Sequence, residues 1–131
     1  MALRIVRLGS PRAAHEGLRV GTVRRPPRGV PKAEYAERNL FDVWFPNLSP
    51  TEELLKRYYP VTDAAAWRGF ARAFRKEMKS PAARHDLDLI AALSHVTNLS
   101  IGCYCEDASR CHRSILRELL EQREAEIVSF D

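Results

Sequence analysis

The chain has 131 residues, of which 45% are hydrophobic and 29% are charged, which is the size and composition of one folded domain. Three cysteines clustered between Cys103 and Cys111 are typical of a reducing compartment, and no apolar run suits a signal peptide or a membrane helix, so we expect a cytoplasmic protein without a membrane partner. The net charge of +4 is uneven, because residues 1–32 carry +7 and residues 33–131 carry −3.

The first third of the chain predicts extended structure. Residues 3–8 and 18–23 have apolar positions that partly alternate, which predicts two strands with a turn at Ser10 between them. Residues 24–32 contain three prolines, which remove backbone donors, and therefore predict a stiff basic loop. Residues 41–45 predict a third strand or an extended segment.

The middle of the chain predicts three helices. Ser49 as N-cap, followed by proline, indicates a short helix to about residue 59. Thr62 or Asp63 can cap a second helix to about residue 79, and Ser80 caps a third that ends near residue 98. One stripe of the second helix is apolar and indicates core, with Trp67, Phe70, Phe74 and Met78.

The last third predicts a strand, a helix and a strand. Residues 99–105 form the buried strand, Asp107 or Ser109 begins a helix that covers residues 111–120, and residues 126–130 form the last strand. This order is a βαβ unit, which favours parallel strands. We therefore predict one α/β domain over residues 1–131, a three-layer sandwich with a mainly parallel sheet and helices on both faces.

Residues 103–113 form a Cys-His-Arg turn between this strand and this helix. A strand end followed by a helix N-terminus favours bound anions, because unpaired backbone N–H groups gather there. Arg110 and Arg113 in a first helical turn oppose the helix dipole, so another interaction must offset their charge. Either they pair with the adjacent acids of the turn, or together with His112 they hold a phosphate, a carboxylate or a nucleic-acid backbone group.

The cysteines of this turn allow several kinds of chemistry. Cys105 at the strand end is a candidate nucleophile with His112 as its acid/base, whereas Cys111 is spaced as a small buried hydrophobe. The C-x-C-x5-C-H spacing from Cys103 to His112 differs from common zinc pairs, and Cys111 and His112, adjacent on a helix, would point about 100° apart. We therefore predict no metal ligands and no cofactor.

Two segments of the chain together resemble the domain of unknown function 488 family. They are residues 17–32, which contain RRPPRGVPK, and residues 102–113, which contain GCYCE and CHR. The resemblance covers about residues 3–128. It implies a small prokaryotic cytoplasmic α/β protein whose distinctive surface is the arginine loop and the Cys-His-Arg turn, and it implies no settled activity.

A basic cleft is the predicted functional feature. If the loop at residues 24–32 folds over the strand ends, its cations face the Cys-His-Arg turn and can bind a phosphorylated ligand, either a nucleotide or a nucleic acid. The predicted anion-binding residues are Arg24, Arg25, Arg28, Lys32, Arg110 and Arg113. The alternatives are a cysteine-dependent enzyme that uses Cys105 and His112, with the arginines as an electrostatic clamp, and a purely structural interaction module.

Overall fold

A four-stranded parallel sheet organises the protein, in a computed structural model that describes residues 1–128. The strand order is β1-β4-β2-β3, so the strand nearest the C-terminus lies between the first two. The pairing aligns Leu99 with both Leu3 and Leu18. The strands are β1 (Leu3–Arg7), β2 (Leu18–Gly21), β3 (Val43–Trp44) and β4 (Leu99–Cys103).

Four α-helices accompany the sheet, and none in residues 1–128 is long and apolar enough to cross a membrane. They are α1 (Glu52–Tyr58), α2 (Ala64–Glu77), α3 (Pro81–Leu93) and α4 (His112–Glu121). The predicted caps Asp63 and Ser80 are confirmed, since each side chain accepts a backbone N–H of the first turn. The predicted cap Ser49 is wrong: its hydroxyl donates to the Pro46 carbonyl, and Thr51 caps α1.

All four α-helices contribute to one apolar core on one face of the sheet. From the strands this core takes Leu3, Val20, Leu99 and Ile101, all of them buried. Connecting segments cover the opposite face, where Phe41 lies against Gly21 and where Glu16 and Arg19 are buried. The α/β fold with a parallel sheet is confirmed, and the layer on that second face consists of connecting chain.

Several predicted elements are shorter in the structure. Strand β2 ends at Gly21, β3 has two residues, and α3 ends at Leu93, five residues before the predicted position. The strand predicted over residues 126–130 is represented by a parallel bridge between Ile127 and Leu3. Residues 129 and 130 lie outside the described residues.

Candidate functional site

A pocket of about 290 Å³ opens where β2 and β4 end. This is the edge of a parallel α/β sheet at which ligand crevices form. Three parts of the chain build it: the residues that follow β2, the residues in and around α1, and the segment from the end of β4 to the first residue of α4. The lining residues are Val23, Arg24, Arg25, Pro50, Leu55, Tyr59, Cys103, Tyr104, Cys105 and His112.

Arg24 and Arg25 of the basic loop reach this pocket, but both have protein partners. The Arg24 guanidinium donates to the carbonyl oxygens of Pro46, Ser49 and Pro50 at 3.2, 3.1 and 2.9 Å. It therefore fastens the chain before α1 to the loop. Arg25 is exposed and forms an ion pair with Glu52.

Three other predicted anion-binding residues lie away from the pocket, and a fourth, Arg113, is buried and is not one of its lining residues. Arg28 and Lys32 are exposed, and Lys32 lines a different cleft, beside Tyr35 and Trp44. Arg110 ends a 3₁₀ turn, Ala108–Arg110, before α4. The structure therefore brings the start of the basic loop to the Cys-His-Arg turn and leaves these three cations outside.

The acids of the turn pair with other groups than Arg110 and Arg113. Glu106 forms an exposed ion pair with Arg7 at 3.4 Å. Asp107 accepts hydrogen bonds from the backbone N–H and the hydroxyl of Ser109. The predicted network within the turn is therefore wrong, since the partner of Glu106 is the last residue of the neighbouring strand β1 and the Asp107 oxygen caps the 3₁₀ turn.

Arg113 is buried, with only 5% of its surface exposed. Its Nη2 donates to the Cys105 carbonyl oxygen at 2.6 Å, while its buried Nε has no hydrogen-bond partner. Among residues 1–128, no carboxylate forms an ion pair with this guanidinium. This buried cation, which is bonded to the backbone of the pocket residue Cys105, therefore has no carboxylate partner in this part of the chain.

His112 is held in one orientation by backbone. Its Nε2 lies 2.6 Å from the Thr22 carbonyl oxygen. Because a carbonyl only accepts, Nε2 carries the proton and Nδ1 of the neutral ring keeps its lone pair. Burial lowers the pKa of His112 to about 4, so the ring is neutral at pH 7. Its Nδ1 lies 3.7 Å from Cys111 Sγ.

Cys111 is not part of the helix that follows it. It is the N-cap of α4, with φ −130° and ψ 150°, so its backbone is extended. The separation of about 100° that consecutive helical residues would have does not apply here, and our geometric objection to a metal site is wrong. The ligand atoms of Cys103, Cys111 and His112 lie within 4.8 Å of one another, and all three residues are buried. Burial of Cys111 is what its spacing predicted. These three residues could hold a metal ion.

Cys105 differs from the other two cysteines, because it is half-buried and faces the pocket. Hydrogen bonds from the thiols of Cys103 and Cys111, together with the charge of Arg113, lower the pKa of Cys105 in spite of burial. With His112 neutral at pH 7, Arg113 is the cation that remains near this sulfur. The hydrogen bond to Cys105 and burial raise the pKa of Cys103. Negative charge in the cluster therefore concentrates on the Cys105 sulfur.

Tyr59 is a pocket residue that sequence reasoning missed. Its side-chain oxygen is buried and has no hydrogen-bond partner among the described residues. Burial raises the pKa of this phenol, so the hydroxyl stays protonated and able to donate. The sequence shows only an aromatic residue at the end of a predicted helix. That Tyr59 shares a pocket with Cys105 follows from the tertiary structure, and no pattern near Tyr59 in the sequence indicates it.

Comparison with known proteins gives one match. The family model DUF488-N3a, described as the active DUF488-N3 subclade, matches residues 3–124. No curated protein and no solved structure matches the chain.

Proposed function

This chain belongs to the domain of unknown function 488 family, and we propose that it binds a small molecule with a phosphate or similar anionic group in the pocket at the ends of β2 and β4. The observation that carries the proposal is Arg113, a buried guanidinium without a carboxylate partner in residues 1–128. Cys105, whose pKa is lowered in part by Arg113, is an acidic group near this cation, and an anion in the pocket that Cys105 lines would offset the remaining cost of the buried charge.

The charge of the pocket lining supports an anionic ligand. Arg24 and Arg25 are lining residues, and no carboxylate belongs to the lining that the structure describes. In a concave site with apolar walls, positive side chains attract anions more strongly than they do in open water. The electrostatic field therefore favours a ligand with negative charge.

The size and the walls of the pocket support a small molecule. A volume of about 290 Å³ is at the lower end of ligand sites, which favours a small molecule over a nucleic-acid strand. Val23, Leu55 and Tyr104 offer apolar contact, and the unpartnered Tyr59 hydroxyl offers a hydrogen-bond donor. A nucleotide or a smaller phosphorylated compound has this combination of apolar body and anionic group.

Calorimetric titration with adenosine monophosphate tests the proposal, with adenosine as the uncharged match. We expect the monophosphate to bind and adenosine to bind much more weakly. Arg25→Gln should weaken binding about fivefold, the order expected of one partly exposed charge-assisted contact. Arg28→Gln removes the same charge from the same loop outside the pocket and should leave the affinity unchanged.

Equal affinity for adenosine and its monophosphate would contradict the anionic ligand. Equal weakening by Arg25→Gln and Arg28→Gln would show that the net charge of the loop acts, and not a site at the pocket. Either result would overturn the proposal.

A second candidate is a cysteine-dependent enzyme, and the placement of Cys105 favours it. Of the three sulfurs, this one is half-buried and lines the pocket, and the matching family model is described as active. In that reaction the Cys105 sulfur donates an electron pair to an electrophilic ligand atom, and the leaving group departs with the bonding pair. The acid/base role of His112 falls to Nδ1, because Nε2–H is bound to Thr22.

Iodoacetamide labelling at pH 7, resolved by site with mass spectrometry, tests this candidate. We expect Cys105 to be alkylated first, Cys105→Ser to abolish the early label, and adenosine monophosphate to slow it. Labelling of Cys103 or Cys111 at the same rate as Cys105 would remove the basis for a cysteine nucleophile in this pocket.

A further inference from the structure

We propose that Cys103, Cys111 and His112 bind a zinc ion at the inner wall of the pocket, with a fourth coordination position directed toward the pocket. The proposal does not depend on which ligand the pocket binds, and it leaves His112 without an acid/base role, because Nδ1 would hold the ion while Nε2–H is bound to Thr22. It rests on the positions of three buried ligand atoms, on the hydrogen bond that orients His112, and on the extended backbone of Cys111.

The spacing of the ligand atoms fits a tetrahedral site. The three atoms lie within 4.8 Å of one another, and Cys111 Sγ is 3.7 Å from His112 Nδ1. Zinc bonds to sulfur and nitrogen of about 2.3 and 2.0 Å give ligand-to-ligand edges of roughly 3.5–3.8 Å. The pair from Cys111 and His112 already has such an edge, so Cys103 is the ligand that must approach.

The backbone holds the imidazole as a metal ligand requires. A metal-binding histidine usually donates its other ring N–H to a carbonyl or carboxylate, which fixes the tautomer and the ring orientation. Nε2 of His112 donates to the Thr22 carbonyl in this way, and Thr22 is fully buried. Nδ1 therefore keeps its lone pair for a cation, which would take the place of the proton that the Cys111 thiol, 3.7 Å away, can donate to it.

Adjacent residues can converge on one ion because α4 begins between them. Cys111 is extended and His112 is the first helical residue, so the two side chains do not follow helical spacing. Cys103 comes from the end of β4, which lies against the start of this helix. A strand end and a helix start thus supply the three ligands.

The donor set and the local charge select zinc. Two thiolates and an imidazole are soft and borderline ligands, which suit zinc and do not suit magnesium or calcium. Two thiolates also neutralise a divalent ion, which makes its burial tolerable beside the cation Arg113. A set of two cysteines and one histidine leaves one position of the tetrahedron open.

The ion would enter through the pocket, and its open coordination position would face a ligand bound there. Cys103 and His112 are both pocket-lining residues, although each is buried within the fold. Cys105 lines the same pocket and is the nearest further thiol, but it lies outside the group of three mutually close ligand atoms. We therefore assign Cys105 to the pocket and not to the ion.

Cobalt titration of chelator-treated, reduced protein tests the site. We expect one Co²⁺ per chain, with thiolate-to-cobalt charge-transfer absorption and the visible bands of tetrahedral cobalt, and complete displacement by Zn²⁺. Cys111→Ser and His112→Gln should weaken zinc binding by at least about 100-fold in competition with a chromophoric chelator. Cys105→Ser is the matched control, a thiol-to-hydroxyl change in the same cluster, and should keep one ion per chain.

Circular dichroism shows whether each variant folds, and X-ray absorption of the zinc-loaded wild type measures the ligands without any substitution. Two sulfurs and one imidazole in the first shell support the assignment. Absence of cobalt absorption in folded wild type, three coordinated sulfurs, or loss of the ion in folded Cys105→Ser would each overturn it.

Discussion

Arg19 and Glu16 form a buried ion pair on the face of the sheet opposite the α-helices. Arg19 Nε lies 2.8 Å from Glu16 Oε2, and Nη2 lies 2.9 Å from Oε1, with 0% and 3% of the two side chains exposed. Nη1 donates to the carbonyl oxygens of Ser10 and Asn39, and the Ser100 hydroxyl donates to Glu16. This guanidinium has the carboxylate partner that Arg113, equally enclosed, does not have in residues 1–128.

Removal of one member of this pair should destabilise the fold strongly. Arg19→Met leaves the Glu16 carboxylate buried without a counter-charge, and we expect a loss of about 3–5 kcal/mol in the free energy of unfolding. The double variant Glu16→Gln with Arg19→Met should lose less than the sum of the single losses, because no lone charge is left. Urea unfolding of wild type, Arg19→Met, Glu16→Gln and the double variant measures the coupling free energy between the two side chains.

Arg38→Met is the control for that experiment. Arg38 pairs with Glu34 at 2.9 Å on the surface, where both side chains are substantially exposed. Its loss should cost under about 0.5 kcal/mol. If Arg19→Met were no more harmful than Arg38→Met, the enclosed pair would not contribute to stability.

Acid should weaken the fold through Glu16. Burial alone would raise the pKa of this carboxyl, but hydrogen bonds from Arg19 and Ser100 outweigh it and lower the pKa from 4.5 to about 2. The folded state therefore binds the proton less tightly than the unfolded state, so this contribution is present above pH 4.5 and is lost as the pH falls to about 2. Linkage gives a loss of about 3 kcal/mol from this group.

Urea unfolding of wild type and Glu16→Gln between pH 2 and pH 7 tests this pH dependence. The slope of stability against pH should be shallower in the variant within that window. The pKa of Asp42 is also lowered, because its hydrogen bonds from Arg12 and Arg19 outweigh burial. Asp42 therefore adds the same pH dependence of stability to wild type and to Glu16→Gln. Equal slopes would show that Glu16 does not have the low pKa.

Arg24→Met should loosen the chain before α1 more than it changes charge at the pocket. The variant removes one hydrogen-bond donor from each of three carbonyl oxygens, including those of the buried residues Ser49 and Pro50, while the Pro46 carbonyl keeps its bond from the Ser49 hydroxyl. We expect faster hydrogen exchange at residues 47–51 and a stability loss of about 2–3 kcal/mol. Arg28→Met removes an exposed cation of the same loop and should leave exchange there as in the wild type. The opposite pattern would contradict the structural role of Arg24.

Gly102→Ala should destabilise the centre of the sheet. A Cβ at Gly102 would lie 2.5 Å from the Val6 carbonyl oxygen and 3.0 Å from Leu8 Cδ2. Because the nearest atom is backbone of the adjacent strand, relief requires movement of the sheet, and we expect a loss of about 1–3 kcal/mol in thermal or urea unfolding. Gly29→Ala, with no atom within 4 Å of the added carbon, isolates the cost of its φ of +73°.

Elements whose signal is local were predictable from the sequence. The apolar stripe of α2 is core as predicted, with Phe70, Phe74 and Met78 buried. The cap residues Asp63 and Ser80 were also correct, since an N-cap hydrogen bond spans only three residues. In these segments the spacing along the chain already fixes which atoms meet.

The start of α4 was harder to predict because two starting points compete. Asp107 has the side chain of an N-cap, but its oxygen accepts hydrogen bonds from Ser109 and caps a 3₁₀ turn, Ala108–Arg110. The α-helix begins only at His112, two residues after that turn ends. The boundary decides where the Cys111 side chain points. A shift of a few residues in a helix boundary therefore changed the interpretation of the whole cysteine cluster.

Long-range partners explain the other differences. Arg19 lies within strand β2 and donates a hydrogen bond to the Glu16 carboxylate. The same carboxylate accepts a hydrogen bond from Ser100, 84 residues further along the chain than Glu16. Arg24 bonds carbonyl oxygens more than 20 residues away. An arginine in a basic segment looks like a surface charge in the sequence, and only the tertiary structure shows that its donors are already occupied.

The place of β4 in the sheet determines when this protein can fold. Strand β1 pairs with β4, and β2 pairs with β4 and with the two-residue β3, so β1 and β2 share no backbone hydrogen bonds with each other in the ladder. During synthesis, β1 and β2 therefore wait for residues 99–103 before the central pairing can form. Pairing with β4 closes the chain between residue 7 or residue 21 and residue 99. The entropic cost of closing such long loops comes before the gain from strand pairing, which favours slow formation of the sheet. The two N-terminal strands should accordingly stay unpaired with the centre of the sheet until the segment that also carries Cys103 has left the ribosome.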